Sequence, residues 1–249
     1  MSDLWMESWG AGDPVILVHG SLATGAEEWQ AQEPLAHEGY RLLVPDRRGY
    51  GRSPAAEGED FLRDADDIAD LILDGAHLVA HSYGGLGAML AAARRPGSVR
   101  SLALLEPPAL TLATHPDAAR LVDRVRRSWE EELSDREWLE RFLEAVGTDP
   151  ASLPAEVLDD AMPMVPITRR GRRAWTCELP VNELAAARFP KLVVSGAHNP
   201  GFDAICDELA EQIHAIRAEV AGAGHEIQFT GDPINNLLLD LWHGGASER

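Results

Sequence analysis

Cysteine is scarce in this 249-residue chain, long apolar runs are missing, and positive charge is outnumbered. Each shortage excludes something. Two cysteines, Cys177 and Cys206, cannot build a disulfide framework, and a chain long enough to bury a full core does not need one. Both are expected to be reduced and structural. No stretch reaches the roughly 20 apolar residues that cross a bilayer. The segment Met1-Ser2-Asp3-Leu4-Trp5-Met6-Glu7 lacks the basic-then-apolar order of a secretory leader, so a soluble, cytoplasmic protein is expected. The 22 Lys and Arg face 41 Asp and Glu, a formal charge of −19. That field repels nucleic acid and anionic membrane surfaces and favours solubility. A small-molecule substrate is the expected partner, with a homodimer left open. The nine histidines are scattered, no His-Glu-x-x-His run occurs, the cysteines are not paired at ligand spacing, and no glycine-rich phosphate loop follows a strand. Neither a metal nor another cofactor is expected.

What is present has a regular rhythm. Val15-Ile16-Leu17-Val18 is short, β-branched and bounded by Pro14 and Gly20, as a buried strand should be. Similar runs recur at Arg41 to Val44, Leu78 to Ala80, Val99 to Leu105, Leu192 to Ser195 and Ala218 to Val220, with an antiparallel edge strand expected over Leu4 to Trp9. Between them, Phe61 to Leu73 and Ile205 to Ile216 carry helical periodicity. Near-continuous apolar strands alternating with amphipathic helices imply an α/β fold, a mostly parallel doubly wound sheet with helices on both faces. The rhythm breaks between 111 and 188. There, Leu121 to Trp129 and Glu137 to Val146 look helical and prolines 150, 154, 163 and 166 follow. This stretch reads as a helical cap inserted between core segments 1–110 and 189–249.

Candidate chemistry sits where strands end. Leu78-Val79-Ala80-His81-Ser82-Tyr83-Gly84-Gly85 runs from a buried strand through small residues into a helix. Small side chains two places either side of Ser82 allow the sharp turn that presents a nucleophile above a sheet. Ser82 would also meet a helix amino terminus, whose dipole favours developing negative charge. After the strand at 15–18, His19-Gly20-Ser21 can aim the Ser21 backbone N–H at a reacting carbonyl oxygen, with the Tyr83 N–H as second donor. His19 itself is expected to hold that loop. Gly222-Ala223-Gly224-His225-Glu226 supplies a glycine-flanked loop histidine after the last strand, the place for a general base.

Four segments together, His19-Gly20, Asp46-Arg47-Arg48-Gly49-Tyr50-Gly51-Arg52-Ser53, Ala80 to Gly85 and Gly224-His225, resemble the α/β-hydrolase fold family over nearly the whole length. The resemblance implies a Ser–His–acid triad with Ser82 as nucleophile, and a mainly structural role for Asp46 to Ser53. A serine at 82 argues against the aspartate-nucleophile epoxide and haloalkane branches. The family usually places the acid three residues past Gly196, where this chain has Asn199. An amide orients an imidazole but cannot offset its charge. Glu106, at the end of the strand after the nucleophile helix, is the preferred acid, with Asp203 and Asn199 as alternatives. Hydrolysis of an ester, lactone or related acyl bond is expected. A cofactor-free perhydrolase or haloperoxidase-type enzyme, or a binding protein with vestigial turnover, are the rival readings. Trp29, Trp129 and Trp138 are expected to contact substrate, with Phe142, Trp175 and Tyr83 as further wall residues, while His198 is left between a substrate contact and a surface residue, the surface preferred.

Overall fold

The computed structural model describes residues 2–244; residues 245–249 of the expected core segment lie outside the described residues. Seven strands form one sheet: β1 (Met6–Gly10), β2 (Asp13–Val18), β3 (Tyr40–Pro45), β4 (Ala76–His81), β5 (Val99–Leu105), β6 (Lys191–Ser195) and β7 (Ile216–Glu219). Their spatial order is β1-β3-β2-β4-β5-β6-β7. β1 runs antiparallel to β3, and every other pairing is parallel. The helices, in chain order, are α1 (Gly25–Glu28), α2 (Phe61–Leu71), α3 (Gly84–Arg94), α4 (Pro116–Glu130), α5 (Asp135–Val146), α6 (Ala155–Ala161), α7 (Val165–Arg170), α8 (Val181–Ala186), α9 (Pro200–Ile213) and α10 (Asp232–Trp242).

The alternation of side chains along each strand divides the core into two layers. Ile16, Val18, Leu78, Ala80, Leu102 and Leu104 face α2, α3 and α9 through Ile68, Leu86, Met89, Ile205 and Leu209. Val15, Leu17, Val79, Ala103, Leu105 and Val194 face the other way, onto α10 and the 3₁₀ stretch Gln30–His37. Central strands buried on both faces explain why their sequences read as continuous apolar runs rather than alternating ones.

Ile216 was expected at the end of a helix and instead opens β7. His214 adopts a left-handed backbone, φ +55°, which ends α9 and turns the chain into the sheet. Residues 111–188 contribute α4 to α8 and 3₁₀ turns, and no strand among the described residues. Within this stretch Trp138, Leu139, Leu158 and Val165 form a small core of their own. α4 also joins the main core: a side chain at Gly201 would stand 2.6 Å from Leu121 Cβ, so glycine there lets α9 and α4 approach.

Candidate active site

The carboxyl ends of β2, β4, β5 and β6 lie along one edge of the sheet, and the loops beyond them carry the candidate residues. Ser82 follows β4 directly. Its φ of +46° is a left-handed conformation that non-glycine residues rarely adopt, and its N–H is anchored on the Leu105 carbonyl at 2.9 Å. The turn is tight because its neighbours are small. A Cβ at Gly84 would lie 2.4 Å from the His19 carbonyl oxygen, and one at Gly20 would lie 3.0 Å from Ser82 Cβ. Loop 19–21 therefore lies beside the turn that carries Ser82. Neither the Ser21 nor the Tyr83 backbone N–H has an acceptor among the described residues.

Glu106 terminates β5, also at positive φ, +40°. It is fully buried. Its Oε1 accepts from the Gly196 N–H at 2.8 Å, and its Oε2 accepts from His225 Nδ1 at 2.7 Å. His225 Nε2 lies 3.0 Å from Ser82 Oγ. Since Nδ1 must donate to the carboxylate, Nε2 is left to accept the Ser82 hydroxyl proton. Burial disfavours a charge on Glu106, but the hydrogen bonds from His198 and His225 outweigh it and bring its pKa down to about 2. It is an anion at every ordinary pH.

Neither alternative acid reaches the ring. Asn199 caps α9, accepting from the Gly201 N–H at 2.9 Å and donating to the Val146 carbonyl at 3.3 Å. Asp203 sits in the first turn of α9, with Oδ1 4.0 Å from Arg217 Nη2.

Contrary to the surface reading, His198 is largely buried and donates from Nε2 to the same Glu106 Oε2 at 2.9 Å. Burial opposes its charge, yet Glu106, with Glu226 and Asp203 beyond it, raises its pKa above the ordinary histidine value. The ligand atoms of Glu106, His198 and His225 lie within 4.8 Å of one another, a spacing compatible with a metal ion. The two histidine N–H groups already satisfy the carboxylate without one.

A second buried pair supports the loops from behind. His81 Nδ1 meets Glu28 Oε1 at 3.1 Å, and its Nε2 meets the His225 carbonyl at 3.0 Å. Both Glu28 oxygens accept from the Gly20 N–H at 3.0 Å. Nδ1 faces Glu28 Oε1, with Gln228 Nε2 also 3.3 Å away, and Nε2 faces a carbonyl oxygen. Burial works against a charge on His81 and Glu28 prevails, raising the pKa. One carboxylate thus steadies loop 19–21 directly and the His225 loop through His81.

His19 holds its own loop: Nε2 accepts from the Arg47 N–H at 2.7 Å, so Nδ1 donates to Gly20 O. Burial keeps His19 neutral. A third cluster lies beneath Ser21. Glu59 Oε2 accepts from Ser21 Oγ at 2.8 Å, Arg47 Nη2 at 3.0 Å and the Tyr50 hydroxyl at 2.7 Å. Tyr50 also meets Thr168 Oγ1 on α7 at 3.1 Å, and the Glu59 N–H donates to the Ile167 carbonyl. In Asp46–Ser53, Asp46 accepts from the N–H groups of Gly25 and Arg52, both at 2.9 Å.

Two cavities meet at Ser82. One, of about 520 Å³ counting its mouth, is walled by Tyr83, Leu110, Trp129, Phe142 and Trp175, with Glu59, Thr168 and Arg173 as polar members. The other, of about 1110 Å³, runs past His225 between α5 and α6. Ser21, Phe142 and Val146 also line both.

Two expected wall residues are elsewhere. Trp29 is fully buried in the layer beneath the opposite sheet face. Trp138 is buried behind the wall, stacked on Phe142 with ring centroids 5.1 Å apart and edge-on to Trp129 at 4.9 Å. A large aromatic side chain fills a core as readily as it lines a pocket. No local pattern marks Glu28 or Glu59, whereas His81 stands directly before Ser82 and shows its partners only in the fold. For His198 the only available signal was its place one residue before the expected acid.

Residues 15–236 match the family described as "Alpha/beta hydrolase family". A pimeloyl-[acyl-carrier protein] methyl ester esterase of Aeromonas salmonicida is 31% identical over 195 residues, 73% of this chain and 67% of that protein. The non-heme chloroperoxidase CPO-A1 of Kitasatospora aureofaciens is 42% identical over 89 residues, 33% of this chain. That match spans only 32% of the chloroperoxidase. Among solved structures, a thermophilic esterase from Thermogutta terrifontis superposes with a TM-score of 0.70 at 22% identity, over 96% of this chain and 93% of its own.

Proposed function

We propose that this chain, which belongs to the alpha/beta hydrolase family, hydrolyses acyl bonds of small molecules, esters or lactones, through an acyl-enzyme on Ser82. The observation that carries the reading is the unbroken line Ser82 Oγ–His225–Glu106, at 3.0 and 2.7 Å, with a buried anion at its end. Ser82 Oγ attacks the carbonyl carbon as its proton passes to His225 Nε2. The carbonyl oxygen, now negative, lies against the Ser21 and Tyr83 N–H groups. The departing oxygen takes the proton from Nε2, and water then enters by the reverse proton path to release the acid. Glu106 stays ionised and offsets the imidazolium charge.

The test is covalent labelling. A fluorophosphonate should label wild type at Ser82, and Ser82→Ala should lose both labelling and at least about 10⁴ of kcat on simple esters. Turnover retained in Ser82→Ala removes the serine from the mechanism. The likeness of one segment to a chloroperoxidase favours a second reading, in which peroxide replaces water at the acyl-enzyme. Peroxide-dependent peracid formation, measured beside hydrolysis, separates the two.

A further inference from the structure

The two cavities at Ser82 differ in which catalytic group they contain. His225 lines the larger one and not the smaller, whereas Tyr83 lines the smaller one and not the larger. We infer, resting on the acyl-hydrolysis reading, that the substrate is a compact acyl group esterified to a longer aliphatic alcohol, with the alcohol chain in the α5–α6 channel and the acyl group under Trp129 and Trp175.

Proton bookkeeping sets the direction. When the bond from Ser82 Oγ to the acyl carbon forms, the bond from that carbon to the alcohol oxygen breaks. The proton that left Ser82 reaches the departing oxygen from His225 Nε2. The alcohol oxygen must therefore face His225, and the chain attached to it continues into the cavity His225 lines. The carbonyl oxygen faces the N–H groups of Ser21 and Tyr83, and with the alcohol side taking the cavity of His225, the acyl chain takes the other cavity that meets at Ser82.

The walls fit that division. The channel carries Leu139, Leu143 and Leu158 along its length, with Glu28, Thr148, Glu226 and Gln228 as polar members, and counting its mouth it is the larger of the two, about 1110 Å³ against about 520 Å³. At its outer rim Val157 and Phe229 are 48% and 58% exposed, so a chain that outruns the channel emerges over apolar side chains. The smaller cavity is walled by three rings, Trp129, Trp175 and the shared Phe142, which leave room for a short or flat acyl group.

Two ester series test this: acetates of straight-chain alcohols from ethanol to decanol, and ethyl esters of straight-chain acids from acetic to decanoic. In wild type, kcat/KM should climb along the alcohol series by up to about fourfold per methylene buried, and should fall along the acid series once the acyl group outgrows the ring-walled cavity. Leu158→Trp, which fills the channel, should flatten the alcohol series at least tenfold between its ends and keep the rank order of the acid series. Leu143→Trp, on the facing helix, gives the same reading should Leu158→Trp fail to fold. A wild-type preference for long acids, or channel variants that reorder the acid series instead, overturns the assignment. Fluorophosphonate labelling of Ser82 in the same preparations separates the two levels. Labelling with the wrong chain preference sinks the division of cavities alone, and absent labelling sinks the hydrolase reading beneath it.

Discussion

Glu106 and His198 meet through Nε2 and Oε2 at 2.9 Å, on the very oxygen that holds His225 at 2.7 Å. The acid at the end of β5 is therefore shared between two histidines from different loops. It carries one negative charge, and a proton on either ring draws on it.

Glu106→Gln should lower kcat on esters by about 10³ to 10⁴, the scale on which an amide fails to stabilise an imidazolium. Asn199→Asp, measured alongside, should restore nothing in the Glu106→Gln background, because position 199 caps α9. Rescue by Asn199→Asp would move the acid back to the β6 loop.

Removing His198 should leave Glu106 entirely to His225. Its charge then supports the imidazolium more strongly, so the acid limb of kcat/KM in His198→Ala should move to higher pH. Glu226 and Asp203 also face His198, and both remain in the variant. A purely structural role would lower activity without displacing the limb.

Acid stability should follow Glu106 in a defined window. Its pKa is depressed in the fold, to about 2 against an ordinary value of 4.5, so its contribution is complete above 4.5 and is lost as pH falls toward 2. Urea midpoints across that interval should drop less steeply in Glu106→Gln than in wild type. Parallel profiles would mean that the carboxylate carries no such linkage.

Gly196→Ala probes how closely the two site loops pack. The added methyl would lie 1.8 Å from the Gly224 carbonyl oxygen, so one loop must give way. Because Gly196 N–H holds Glu106 and Gly224 precedes His225, kcat should fall by more than about tenfold, with a stability cost of about 1–3 kcal/mol. Wild-type turnover in this variant would show the contact to be soft.

Arg47 is 2% exposed and bonded to Glu59, Asp64 and Gly20 O. Arg47→Met should destabilise the protein by about 3–5 kcal/mol in urea unfolding, since two buried carboxylates lose their cation. A smaller effect would mean that water reaches them.

As candidates, Ser82 and His225 are legible in the sequence because their signals are local: a strand running into small residues, and a loop histidine directly after Gly222-Ala223-Gly224. Glu106 was legible for a related reason, as a carboxylate directly after the buried strand that follows the nucleophile helix. His198 was not, since its significance lies in a side chain 92 positions away. Glu28 and Glu59 are alike in this. Each looks like one more charge in an acidic chain, and only tertiary contact turns them into anchors for Gly20 and Ser21. The tryptophans failed in the opposite sense. Trp29 and Trp129 share size and chemistry, and only the layer they occupy distinguishes a packed interior from a pocket wall. The cysteines are both free and buried.

The carboxylate of Glu59 grips the Ser21 hydroxyl and the Tyr50 phenol, which in turn touches Thr168, while its backbone is laced to Ile167 and Arg172. That corner of the cap is thereby riveted to the loop that would receive the oxyanion. Lifting α7 to admit a bulky guest would loosen the Ser21 loop in the same motion, so this side is a fixed hinge post. Widening without that penalty is left to the opposite side, where α5 and α6 border the cavity beside His225.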